Sequence, residues 1–149
     1  MSTRPALSLT VQYAVDPTGL PTRAQFRKWV RAALSTACTV TLRLVDEEEG
    51  RALNATYRGK DYATNVLTFP YEAGPPLEGD IALCAAVVAA EARAQGKPDD
   101  AHWAHLVVHG MLHLQGHDHE DDAEARRMES LETQILRDLG YPDPYLPAA

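Results

Sequence analysis

A chain of 149 residues that is 45% hydrophobic and 23% charged is the right size for one domain around a single core, and is neither a disordered tail nor a membrane protein. Its net charge of −7 argues against nonspecific nucleic-acid binding, but the charge is uneven: residues 1–70 carry nine Lys/Arg against six Asp/Glu, and residues 71–149 five against fifteen, so the halves stand at +3 and −10. No run approaches 18 apolar residues and the N-terminus lacks a continuous apolar stretch, so the expectation is a chain with no membrane span or export signal, resident in the cytoplasm.

Leu7, Leu9, Val11 and Tyr13 alternate with polar residues, which predicts a half-buried strand. After a turn at 16–21, Thr22 and Gln25 have capping-box spacing, and Phe26, Trp29, Val30, Ala33, Leu34 and Ala37 mark one helix face. Val40, Leu42 and Leu44 alternate in a second strand. The acidic run Asp46–Glu49 can start a short helix through Arg51–Tyr57. Thr64–Phe69 is rich in β-branched and aromatic residues and reads as a third strand ending at Pro70. Residues 70–79 read as loop, and Asp80–Cys84 as a short strand at an edge. Ala85–Gln95 predicts an Ala-rich helix closed by Gly96. A further helix, capped by Asp99 or Asp100, runs to about Leu114, and the last spans about Glu120 to Leu139. Cys38 and Cys84 fit reduced, buried filler rather than a disulfide. The expected fold is an α/β (α+β) single domain over residues 1–149, with a mixed sheet of about four strands surrounded by about five helices.

All six histidines fall within residues 102–119, which composition alone would not produce. His109 and His113 are four apart and share a helix face, so both imidazoles can reach one ion. Gly116 can take a positive φ, end the helix and bring His119 in from the side, with His117 a competitor for the third position. Three neutral imidazoles plus a water make the usual open zinc site; nickel and copper are chemically possible. His105 is expected as packing, a pocket wall or a contact behind the ligands, and His102 as a surface residue. Asp118 or Glu120 could orient ligand imidazoles. The spacing His109-x-x-x-His113-x-x-Gly116-x-x-His119 is that of a metzincin-like zinc helix. Gly110, however, stands where a zinc protease carries its general-base Glu, leaving room either for substrate or for close helix packing.

The segment HGMLHLQGHDH resembles the HGxLHLxGYDH signature of the YbeY family of bacterial endoribonucleases and ribosomal RNA maturation factors. The block from Leu53 to Pro70 resembles the same family's LNxxYRxxDxxTDVLSFP block, and Gly79-Asp80-Ile81 fits as well. The resemblance covers essentially the whole chain. It implies an α/β fold, one zinc ion per chain on His109, His113 and His119, and a functional arginine at Arg58. It further implies cleavage of single-stranded RNA in 16S rRNA 3′-end maturation and ribosome quality control, with the 16S precursor or small subunit as partner. Ribosomal proteins and assembly GTPases are further implied partners; DNA and membranes are not. His117 stands where the family has Tyr, Asn65 where it has Asp, removing a charge expected near Arg58, and Thr68 where it has Ser.

The chemistry expected is metal-assisted phosphodiester cleavage with Arg58 forking onto a phosphate. His117 and Asp118 are the candidate proton carriers, and either water or the RNA 2′-OH is the nucleophile. Lys60 and Arg51 read equally as phosphate contacts or as solvated charges. Two other classes fit the same residues: a metal-containing ribosome-assembly factor with weak or no nuclease activity, and a hydrolase of small phosphoesters or amides.

Overall fold

The computed structural model describes residues 4–71, 76–117 and 120–146. Four strands and five helices follow in the order β1 (Leu7–Tyr13), α1 (Arg23–Ala32), β2 (Cys38–Val45), α2 (Glu47–Arg58), β3 (Val66–Pro70), β4 (Leu77–Cys84), α3 (Ala85–Gln95), α4 (Asp99–Leu114) and α5 (Asp122–Asp138). The sheet order is β1-β2-β4-β3; the first three strands are parallel and β3 runs antiparallel to β4.

The register explains why the sheet has two unlike faces. Val11 pairs with Leu42, Leu42 with Ile81, and Val66 with Leu83, so the apolar residues of all four strands line up on one side. Helices α1 and α4 cover that side: Phe26 meets Trp29 and Trp103 edge to face, and Leu42, Leu44, Ile81, Leu83, Val107 and Met111 are sealed beneath them. The opposite side carries Gln12, Thr41, Arg43 and Asp80 and is covered by α2, whose Tyr57 ring meets Phe69 with centroids 4.9 Å apart. Helices α2 and α4 therefore lie on opposite faces of the sheet.

Four expected boundaries move. Helix α1 stops at Ala32 and does not reach Ala37. The Gln115 side chain takes up the backbone there: its Oε1 accepts from Ser35 N–H at 2.7 Å and its Nε2 donates to the Ala33 carbonyl at 2.7 Å. The expected loop at 70–79 instead contains the start of β4 at Leu77, and β4 is an interior strand, with β3 at the edge. Gly79, a loop signal in the sequence, is needed inside the strand. A Cβ there would collide with Leu114 Cδ1 and lie 2.9 Å from the Phe69 carbonyl oxygen. Helix α4 has Pro98 at its N-cap with no side-chain cap; Asp99 and Asp100 sit in its first turn, where the helix dipole favours acids. Helix α5 begins at Asp122, capped by Asp121, whose side chain accepts from the Glu124 N–H.

Other readings hold. Thr22 and Gln25 form the capping box, Asp46 caps α2, α3 spans Ala85–Gln95, and Cys38 and Cys84 are buried free thiols. No helix of the described residues is long and apolar enough to cross a membrane.

Candidate metal centre

Helix α4 presents its residues in two ways. Trp103, Val107, Gly110, Met111 and Leu114 belong to its buried side, and Gly110 lies so close to the sheet that a Cβ would stand 3.2 Å from Ile81 Cδ1 and 3.5 Å from Val66 Cγ2. This decides between the two roles open to Gly110: it permits close helix-on-sheet packing. His109 and His113, one turn apart, are half-buried. The helix ends where expected. Gly116 has φ +99°, its N–H donates to the His113 carbonyl at 3.0 Å, and the His117 N–H reaches back to the Leu112 carbonyl at 3.0 Å. His117 is half-buried just beyond. Asp118 and His119 lie outside the described residues.

The residue that sequence reasoning missed is Glu132. It lies on the stripe Met128, Glu132, Leu136 that α5 turns inward, and it is only 1% exposed. Its Oε1 is 3.0 Å from His109 Nδ1 and 2.9 Å from His105 Nε2, while Oε2 accepts from the Tyr145 hydroxyl at 2.7 Å. Burial alone pushes this carboxyl up, but the hydrogen bonds from His105 and His109 outweigh it and hold Glu132 down at about 2, from an ordinary 4.5. Tyr145 is pushed up by its own burial and by its bond to the Glu132 carboxylate. The signal available in the sequence was a lone acid at an apolar-stripe position, four residues from Met128 and from Leu136.

This arrangement carries a pH expectation for the metal-free protein. Glu132 has a folded-state value below its unfolded one, so its contribution is present in full above about pH 4.5 and is lost as pH falls toward about 2. The shift corresponds to roughly 3 kcal/mol. Urea unfolding between pH 6 and pH 3 should show this acid loss in the parent and a flatter profile in Glu132→Gln; parallel profiles would count against it.

His102, expected at the surface, is 4% exposed, and its Nε2 lies 2.9 Å from Glu91 Oε1. Asn65 donates to the same carboxylate at 3.1 Å, so it stands with Glu91 and His102. The Glu91 carboxylate on α3 gives the buried ring a polar partner, which was not visible from its place near a helix start.

Arg58 is the last residue of α2, followed by Gly59 at φ +67°. It lines a cleft of about 890 Å³ on the polar face of the sheet, together with Arg43, Tyr57, Phe69, Tyr71 and Asp80. Among the described residues no histidine lines this cleft. The structure thus brings His109, His105 and Glu132 together and sets Arg58 on α2, on the other side of the sheet. Arg43 is engaged by Glu49 through two hydrogen bonds, and Arg51 by Asp61 at 2.6 and 2.9 Å, so neither is a bare cation. Arg51, read equally as a phosphate contact or a solvated charge, is an exposed cation paired with Asp61.

The family model described as endoribonuclease YbeY matches residues 18–140. The chain belongs to the YbeY family. A relative named endoribonuclease YbeY from Methylobacillus flagellatus is 60% identical over 141 residues, covering 95% of each chain. Another, from Nitrosomonas europaea, is 59% identical over 140 residues, covering 94% of this chain and 85% of its own. The solution structure of a Thermotoga maritima protein matches with a TM-score of 0.64 at 27% identity, over 88% of both chains. In this member of the YbeY family the expected α/β fold, four-stranded mixed sheet and five helices are present.

Proposed function

We propose that the protein is a zinc-dependent endoribonuclease that cleaves single-stranded RNA, acting in the cytoplasm on the 16S rRNA precursor or the small ribosomal subunit. The observation that supports it most is the pairing of His109 with the buried Glu132, one helical turn from a second histidine, His113, in a chain whose relatives are named endoribonucleases. The residues fit the metal. A carboxylate on Nδ1 directs a proton to that nitrogen and leaves the lone pair on Nε2, the form in which imidazole ligates zinc. His109, His113 and His119 would hold one ion per chain, all through nitrogen, a donor set suited to zinc.

When bound, zinc supplies Lewis acidity for phosphodiester cleavage. The remaining work falls to the chain itself. Glu132 keeps the His109 ring in one orientation. Arg58 grips a phosphate of the RNA through its planar guanidinium. His117 and Asp118 are placed by the sequence beside the third ligand, to hold or pass a proton. Ribosomal proteins and assembly GTPases are the protein partners this reading implies.

The test is cleavage of a defined single-stranded 16S rRNA fragment by metal-quantified protein, beside a chelated sample and Arg58→Glu. Hydrogen bonds to charged groups are worth about 1.5–3 kcal/mol, so Arg58→Glu should cut cleavage roughly 10- to 100-fold with zinc content unchanged. Equal cleavage by Arg58→Glu would remove Arg58 from the site. A folded, zinc-loaded protein that leaves the RNA intact would move the reading to a ribosome-assembly factor, for which the acidic second half of the chain offers a surface toward basic ribosomal proteins.

A further inference from the structure

We infer that Glu132, braced by Tyr145 and His105, is the positioning residue of the metal centre: it selects the tautomer and ring orientation in which His109 can ligate a cation. This rests on the metal reading above.

The argument is one of donors and acceptors. An ionised carboxylate only accepts hydrogen bonds, so each of its three neighbours must donate. Tyr145 donates its hydroxyl to Oε2 at 2.7 Å, His105 its Nε2–H to Oε1 at 2.9 Å, and His109 its Nδ1–H to Oε1 at 3.0 Å. The other nitrogen of His105 supports this assignment. His105 Nδ1 is buried with no hydrogen-bond partner among the described residues. A ring protonated on Nε2 leaves Nδ1 a bare acceptor, and an unsatisfied acceptor is easier to bury than an unsatisfied N–H. His105 therefore carries its hydrogen on Nε2 and leaves Nδ1 bare. His109, facing the same oxygen through its opposite nitrogen, is the Nδ1–H tautomer with its lone pair on Nε2.

Two histidines one helical turn apart thus share a carboxylate in opposite tautomers. Both rings turn the lone pair away from Glu132, but that of His105 lies on its buried Nδ1, which separates His105 from His109 as a ligand. The brace is itself held. Met128 and Leu136 are buried one turn to either side of Glu132 on α5, the Tyr145 N–H donates to Asp143 Oδ1 at 2.8 Å, and Lys97 Nζ donates to the Pro144 carbonyl at 2.5 Å. The buried negative charge also favours a cation next to His109, because among the described residues its hydrogen-bond partners are Tyr145 and the two imidazoles, with no lysine or arginine.

The test compares the parent with Glu132→Gln and Glu132→Leu. Zinc affinity is read by chelator competition, the metal-free fold by thermal melting, and imidazole tautomers by long-range proton–nitrogen NMR. The metal-free parent should show His109 as Nδ1–H and His105 as Nε2–H. Loss of an outer carboxylate typically costs 10- to 100-fold in metal affinity. Glu132→Gln keeps an acceptor oxygen and should lie near the low end. Glu132→Leu should lie near the high end and lose the fixed His109 tautomer. If Glu132→Leu fails to fold, Glu132→Gln and the tautomers of the parent decide the matter. Parent-like zinc affinity in the folded variants, or a His109 protonated on Nε2 in the parent, would overturn the role of Glu132. A parent that takes up no zinc would instead sink the metal reading, so the two failures are distinct.

Discussion

His113→Ala is expected to bind no stoichiometric zinc and to cleave single-stranded RNA no faster than a chelated control, while keeping its fold. His113 sits near the end of α4, half-buried, in a helix whose stability comes from its sealed side, Trp103, Val107, Met111 and Leu114. Alanine is the best helix former, so the backbone there should be unharmed. The loss should fall on the metal. Removing one of the three proposed ligands should cost more than the roughly 10- to 100-fold ascribed to an outer carboxylate, because a coordinate bond would be lost rather than its orientation. Zinc per chain by elemental analysis, circular dichroism of the metal-free form and cleavage should be measured on one preparation. Full zinc content in a folded His113→Ala protein would remove His113 from the metal centre.

Gly110→Glu should fail to give folded protein, whereas Gly110→Ala should be nearly neutral. The substitution to Glu would install the residue that a zinc protease carries after its first histidine. Here that position faces Ile81 and Val66 rather than open space. A Cβ alone meets Ile81 methyl groups at 3.2 Å, a tightness that costs up to about 1 kcal/mol, and this is offset by the roughly 1 kcal/mol that alanine gains over glycine in a helix. A glutamate must also drive its carboxyl into the layer between helix and sheet. Overpacking adds about 1–3 kcal/mol and the unpaired buried charge several more, which together match the whole stability of an ordinary domain. Soluble yield and thermal melting of the two variants test this. A stable Gly110→Glu protein would show that the position opens toward the metal after all.

The two substitutions also mark how far the sequence alone could be read. Features fixed by neighbouring residues were legible: the Thr22/Gln25 cap, the alternation along β1 and β2, the turn at Gly116 and the one-turn spacing of His109 and His113. Features that arise only when distant segments meet were not. Glu132 looks like a surface acid until α5 docks on α4, because Met128 and Leu136, which flank it by one turn, are buried only in that contact. His102 looked exposed because its partner Glu91 lies on α3, eleven residues away. Gly79 read as loop because nothing nearby in the chain reveals that Leu114 and the β3 backbone close in on it. Gly110 was legible as a departure from the protease pattern, but which neighbour required it was not.

The bracing of His109 by residues that follow it also sets an order in time. A polypeptide is made from its N-terminus at about 5–20 residues per second. His109 and His113 therefore emerge some seconds before Tyr145, and α4 can settle on the sheet before Glu132 has an α5 to carry it. On the proposed function, an unfinished chain still on the ribosome would have two of its proposed ligands but not the brace that aims one of them.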